Sequence, residues 1–219
     1  MIESGLRFAA IDIGSNAIRL LFTRVIEGNK HSDPFFIKES LIRMPLRLGQ
    51  DVFNNGLISK NNSTSFINTI FGFKYLLDAY QPINYRACAT AAMRNAKNNM
   101  DLIRQVKNDS GVNIEIISGN EEASLILGKN INQYLKHNKT YLHIDVGGGS
   151  TELSIISKGI KKFSKSFSIG SVRLLEKKVK KIHWDEMHKW LTTYTKSINK
   201  IEAIGSGGNI NKISSMLGA

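Results

Sequence analysis

One cysteine, Cys88, occurs in 219 residues, so no internal disulfide can form. Its setting in the apolar run YRACAT is that of a small buried side chain rather than a thiol nucleophile. Long hydrophobic runs are also missing. No apolar stretch approaches the roughly 20 residues that cross a bilayer, and the N-terminal MIESGLRFAAIDIGS lacks the order of a signal peptide. The expectation is a cytoplasmic protein with no membrane partner. Acidic residues are scarce, 18 against 30 Lys and Arg, which leaves a net charge of +12 and favours polyanionic partners. Residues 158–181 alone carry eight lysines and Arg173 against Glu176. Its two aromatics, Phe163 and Phe167, do not make an interleaved series suited to stacking on successive bases, so it reads as a solvated basic face or a phosphate-binding one, not as a specific nucleic-acid site.

What is present is a repeat. FAAIDIGSNAIRLLFTRV (8–25) and YLHIDVGGGSTELSII (141–156) share one plan: apolar run, Asp, apolar residue, Gly, a short turn, and a second apolar run. Each reads as strand, glycine turn, strand, with Asp12 and Asp145 closing the first strand. After the first copy come a strand at 35–43 and a helix at 64–80 with Phe66, Ile70, Phe73 and Leu77 at helical spacing. A strand at 84–89, a helix near 98–109, a strand VNIEII and a long helix from about 119 to 136 follow. After the second copy come a strand at 161–168, helical stretches at 171–181 and 185–199, a strand at 200–206 and the start of a helix. Met187, Leu191, Tyr194 and Ile198 form one face of the 185–199 helix, with Asp185 as its expected N-cap. The fold class is therefore α/β, in two similar domains at 1–136 and 137–219. The second copy runs out one strand and one helix short of the first, so the chain is expected to be a fragment.

Paired glycine turns from two such domains can face one another across a cleft, their backbone amides forming anion sites. Aspartates beside phosphates repel them, so a divalent cation, Mg²⁺ by its preference for carboxylate, phosphate and water, is the economical addition. In IISGNEEASL, Ser118 and Glu121 have capping-box spacing, which gives Glu121 a structural task. Glu122 points roughly 100° away and is either a favourable charge at the helix start or a catalytic carboxylate. Arg94, in ATAAMRNAKN, is either a phosphate fork or an exposed loop arginine. AIGSGGN (203–209) is a glycine turn before a helix but matches neither a P-loop nor a dinucleotide fingerprint. His31, His137, His143, His183 and His188 lack the i, i+4 pairing of a zinc helix and are read as structural.

Taken in order, AIDIGSNAIRLL, ATAAMRNAKN, IISGNEEA, IDVGGGSTEL, IGSVRL and AIGSGGNINKI resemble the exopolyphosphatase and guanosine pentaphosphate phosphatase family of the actin, sugar kinase and Hsp70 ATPase superfamily. The resemblance implies two ribonuclease H-like (actin-like ATPase) domains around a cleft, the second incomplete. It implies release of terminal orthophosphate from inorganic polyphosphate or guanosine pentaphosphate, with Glu122 as general base. Ser15, Asn16, Arg94, Gly148, Gly149 and Ser150 match phosphate-binding positions, and Asp145 and Glu152 match acids associated with Mg²⁺. A homodimer is compatible with it. Asn209 departs from the threonine common in relatives, and the acid usual after Gly49 is absent. A kinase or ATPase of the same superfamily, using GSGGN for adenosine, and a non-catalytic polyanion-binding protein are the competing readings.

Overall fold

The computed structural model describes residues 5–28, 34–132 and 135–218. The chain forms two compact units, 1–116 and 117–219. The first holds β1 (Leu6–Ile13), β2 (Ile18–Ile26), β3 (Phe35–Met44), α1 (Leu48–Asn55), α2 (Lys60–Tyr80), β4 (Asn84–Ala89), α3 (Ala91–Asn95), α4 (Asn99–Ser110) and β5 (Ile114–Ile116). The second holds α5 (Gly119–Asn132), β6 (Thr140–Val146), β7 (Thr151–Ser157), β8 (Ile160–Phe167), α6 (Ser171–Leu175), α7 (Lys181–Thr195), β9 (Glu202–Ser206) and α8 (Gly207–Leu217).

The sheets repeat one topology. The first runs β3-β2-β1-β4-β5 and the second β8-β7-β6-β9. In each, the first three strands of the copy are antiparallel neighbours and the next joins the first in parallel, β4 on β1 and β9 on β6. The repeat predicts two units of like topology, and the order is that of the ribonuclease H-like domains the resemblance implies. The compact units divide at 116/117, twenty residues before the 136/137 boundary read from sequence, because α5 packs against β7 and β8. The expected end of that helix, 133–134, lies outside the described residues, as does His31.

Alternation sets the cores. On β1, Ala9, Ile11 and Ile13 are buried while Ala10 and Asp12 are exposed; on β2, Ile18, Leu20 and Phe22 are buried. The α2 stripe is buried as the spacing predicts, at Phe66, Ile70, Phe73 and Leu77. Tyr80 at its end lies 4.2 Å from the Phe22 ring. Cys88 is only half-buried, because it sits on the outward face of β4, opposite Asp12.

In the second unit Leu153, Ile155, Phe167, Ile169 and Trp190 form the core, and Met187, Leu191, Tyr194 and Ile198 pack on it as predicted. Asp185 does not cap α7. The helix begins at Lys181, with extended Lys180 as N-cap, and the Lys180 amide donates to His183 Nδ1. Asp185 instead pairs with Lys181 one turn back. The basic stretch expected to be helical over 171–181 is helix only to Leu175, and Lys177 takes a left-handed φ of 54° just beyond it.

Candidate active site

Both copies of the glycine turn are built the same way, and the construction orients their amides. In the second unit, Gly147 N–H closes the β6–β7 turn on Ser150 O at 2.9 Å. The start of α6 then captures the turn's carbonyls. Ser171 N–H donates to Gly147 O at 3.0 Å, Val172 N–H to Gly148 O at 2.8 Å and Arg173 Nε to Gly149 O at 2.7 Å. A trans peptide unit points its C=O and its N–H in opposite directions. With these carbonyls tied to α6, the amides of Gly148, Gly149 and Ser150 point away from it, and they have no acceptor among the described residues. Three successive donors on one side make an anion-binding concavity. Thr151 Oγ1, donating to Ile169 O at 2.6 Å, fixes the backing segment to the strand.

The first unit repeats this with α1. Gly14 N–H closes on Ala17 O at 3.1 Å, Gly49 N–H donates to Ser15 O at 2.7 Å and Arg47 N–H to Asn16 O at 2.9 Å. The amides of Asn16 and Ala17 are thereby turned outward. Arg47 holds its place with a left-handed φ of 54°. Thr90 N–H donates to Ile13 O at 3.0 Å, so α3 starts beside the end of β1, and Arg94 in its last turn belongs to the same end of the sheet as Ser15 and Asn16.

The acids differ between the copies. Across the second sheet, Ser166, Glu152, Asp145 and Ser206 occupy one register line, and such neighbours share a face. Ser166 Oγ donates to Glu152 Oε1 at 2.7 Å, and Ser206 Oγ donates to Asp145 Oδ2 at 2.8 Å. Glu152 is 2% exposed. His143, also 2% exposed, lies two residues back on the same face, its Nε2 3.0 Å from Ser206 Oγ. A carboxylate can only accept, so the serine proton goes to Asp145 and His143 carries its proton on Nε2. Burial holds the His143 pKa below the ordinary histidine value, with the Asp145 charge acting in the opposite direction. Gly207 completes the brace, because at φ +89° a Cβ there would meet Asp145 Oδ1 at 2.6 Å. Asn209 Nδ2 donates to Val146 O at 2.5 Å.

The equivalent line in the first unit reads Arg43, Arg19, Asp12, Cys88. Asp12 is ion-paired with Arg19 at 2.7 Å, which leaves the second unit as the better cation site. No group of three or more His, Cys, Asp or Glu side chains gathers among the described residues. Mg²⁺ does not require one, since it takes one or two carboxylates and fills its octahedron with water and phosphate oxygens. Asp145 and Glu152 fit that pattern as oxygen-only donors on adjacent positions. Ser154 Oγ, 1% exposed and without a hydrogen-bond partner, lies on the same face beside Glu152, where a cation's water would satisfy it.

Glu122 sits in the first turn of α5, its amide donating to Ser118 O at 2.9 Å, and Ser118 Oγ caps the helix by accepting from Glu121 N–H at 3.1 Å. Of the residues singled out from sequence, Asp145, Gly148, Gly149, Ser150 and Glu152 thus converge on the β6–β7 hairpin, and Ser15, Asn16 and Arg94 on one end of the first sheet. Glu122 belongs to the second unit. Sequence reasoning missed Ser166, Ser206, His143 and the two backing glycines, Gly49 and Gly170. The last two carried a signal, a glycine shortly after the third strand of each copy.

Two sheets of one topology, each with a glycine turn whose amides face outward, give the chain the α/β, actin-like fold. The sequence pattern of the Ppx/GppA phosphatase family matches residues 37–202, and the chain belongs to that family. It is 32% identical over 174 residues to the bifunctional 3-dehydroquinate synthase/phosphatase of Fusobacterium nucleatum, covering 77% of this chain and 26% of that one. It is 30% identical over 149 residues to exopolyphosphatase 1 of Mycobacterium tuberculosis, covering 68% of this chain and 42% of that one. The chain therefore spans less than half the length of either. The crystal structure of the Aquifex aeolicus Ppx/GppA family member superposes with a TM-score of 0.73 at 25% identity, covering 98% of this chain and 70% of that one.

Proposed function

We propose that the chain carries the catalytic machinery of a phosphoanhydride hydrolase that releases terminal orthophosphate from inorganic polyphosphate or guanosine pentaphosphate. The observation that carries this reading is the turn at Gly147–Ser150, whose carbonyls are held by α6 and whose next three amides face outward. Membership of a phosphatase family and the exopolyphosphatase name of one relative support it.

Phosphoryl transfer asks mainly for positioning and neutralisation of charge on the equatorial oxygens. In the second unit the amides of Gly148, Gly149 and Ser150 grip phosphate oxygens, and in the first the amides of Asn16 and Ala17 and the Arg94 guanidinium offer donors of the same kind. Asp145 and Glu152 would hold Mg²⁺, which when bound would neutralise phosphate charge. Glu122 orients a water and takes its proton, a role worth about 10²- to 10⁴-fold. The lysines of 158–181 hold the distal part of a long polyanion. Three of them are already engaged, Lys165 with Glu186, Lys181 with Asp185 and Lys161 with the Ser124 hydroxyl. The 205–209 turn, which a kinase of this fold would open to adenosine, is bonded back to Asp145 and Val146 through Ser206 and Asn209, which favours hydrolysis.

The test is orthophosphate release with Mg²⁺ from polyphosphate, guanosine pentaphosphate and ATP, for the parent and Glu122→Gln. Release from one of the first two, with Glu122→Gln still binding the polyanion but slowed by about 10²-fold or more, is expected. Unchanged turnover in Glu122→Gln overturns the role of that residue. Phosphorylation of an acceptor at the expense of ATP overturns the reaction class.

A further inference from the structure

The register line Ser166, Glu152, Asp145, Ser206 has a symmetry that neither motif reading nor family membership assigns. The two acids occupy the middle strands, and each receives a hydroxyl proton from a serine on the strand outside it, at 2.7 and 2.8 Å. Ser206 stands at the N-cap position of α8, yet its side chain makes no capping bond there. It has given up the usual work of an N-cap serine to face Asp145. His143, buried behind it, supplies the donor that leaves the hydroxyl no choice of direction. Gly207 allows the close approach, since any side chain there would strike Asp145 Oδ1.

We propose that Ser206 and Ser166 are positioning residues, which fix the rotamers of Asp145 and Glu152 so that a divalent cation meets a preset pair of oxygens, with His143 orienting the Ser206 hydroxyl. The assignment rests on the reading of Asp145 and Glu152 as cation-holding acids. Adjacent carboxylates repel and would swing apart if unrestrained. A hydroxyl donated to one oxygen of each fixes the plane of the group and therefore the direction of the other. Outer-shell hydrogen bonds of this kind typically govern metal affinity by roughly 10- to 100-fold.

The experiment titrates Mn²⁺, followed by electron paramagnetic resonance, into the full chain without substrate. Ser206→Ala and Ser166→Ala are each expected to weaken binding by about 10-fold or more. Ser206→Thr, which keeps the hydroxyl, should restore it. His143→Gln, with a donor in place of Nε2, should bind better than His143→Leu. In the phosphate-release assay the alanine variants should lose kcat while KM for polyphosphate, set by the amide turns, stays near the parent value. Circular dichroism checks that each variant is folded. Alanine variants that bind Mn²⁺ as tightly as the parent overturn the assignment, as does a parent that binds none. A parent that shows the Mn²⁺ pattern but releases no phosphate from any substrate sinks the hydrolase reading and leaves the positioning assignment standing.

Discussion

Gly170→Ala is the sharpest test of how the phosphate turn is built. The residue has φ −151° and ψ 159°, extended backbone that alanine adopts without strain, so the whole effect must come from space. A Cβ there would lie 2.5 Å from Gly148 O and 2.6 Å from the carbonyl carbons of Gly148 and Gly149. All three are backbone atoms and none can rotate aside. Reaching an ordinary contact of 3.4 Å requires a retreat of 3.4 − 2.5 = 0.9 Å. That would carry the 2.8 Å bond from Val172 N–H to Gly148 O to roughly 3.7 Å, beyond hydrogen-bond range. The neighbouring bonds from Ser171 and Arg173 would weaken with it. Three hydrogen bonds to the turn's carbonyls at about 0.5–1.5 kcal/mol each, partly offset by about 0.4–1 kcal/mol from a stiffer unfolded chain, predict a loss centred on about 2 kcal/mol and bounded by about 0.5 and 4 kcal/mol. Both tryptophans, Trp184 and Trp190, lie in the second unit, and Trp190 is in its core, so fluorescence during urea unfolding reports the right part of the molecule. Gly208→Ala is the control, since nothing lies within 4 Å of its Cβ position. A Gly170→Ala protein that unfolds at the parent's urea concentration and still binds polyphosphate would refute the tied-carbonyl account.

The acid limb of stability should depend on Asp51. Burial works to raise its pKa, but hydrogen bonds from the Ser59 side chain and amide and from Asn62 outweigh it and hold the value below the ordinary carboxylate range. A depressed folded pKa gives stability that is present above about pH 4 and lost as pH falls through the depressed value. Asp51→Asn should therefore cost about 1 kcal/mol at pH 7, a figure kept small by solvent screening, and should flatten the loss below pH 4 in acid unfolding curves. Polyphosphate binding should weaken steeply with salt. Lys162→Ala and Lys178→Ala, whose ammonium groups have no carboxylate partner among the described residues, should weaken it more than Lys181→Ala, already paired with Asp185. Equal effects in filter binding at low salt would count against a lysine track.

Much of the fold was legible because it repeats. Two Asp-x-Gly turns in one plan announced two sheets of like topology, and the apolar stripes of α2 and α7 are long enough for a 3.6-residue period to declare itself. Short elements were not legible. α1 and α3, of 8 and 5 residues, are too short for a helical period to repeat, although α1 buries Leu48, Val52 and Phe53 on one face. The start of α7 was misread because Asp185 is a good N-cap residue by type, while the actual cap geometry involves Lys180 and the ring of His183. Of the site, the glycines and acids were visible as motifs. Ser166 and Ser206 were not, because their partners are set by strand register, and a slip of one residue would send either serine to the opposite face. From sequence alone His143 reads as structural. Its bond to Ser206 depends on a parallel pairing between strands about sixty residues apart.

The two copies of the unit diverge where chemistry is decided. At equivalent positions the first pairs an acid with Arg19, while the second pairs an acid with Glu152. An opposite-charge pair across strands is mildly stabilising and a like pair destabilising, so the second arrangement is the wrong choice for folding alone. Asp145 also borders the first turn of α8, where a carboxylate gains about 0.3–1 kcal/mol from the helix dipole. Repulsion from Glu152 opposes that gain at about 0.2–1 kcal/mol. Asp145→Asn removes both effects and keeps an acceptor for Ser206. Its unfolding free energy without metal should therefore stay within about 0.5 kcal/mol of the parent, while Mn²⁺ binding and phosphate release are lost. A large destabilisation would show that Asp145 serves α8 as a cap. Intact stability with no cation bound would show that the second copy keeps its paired acids for the cation.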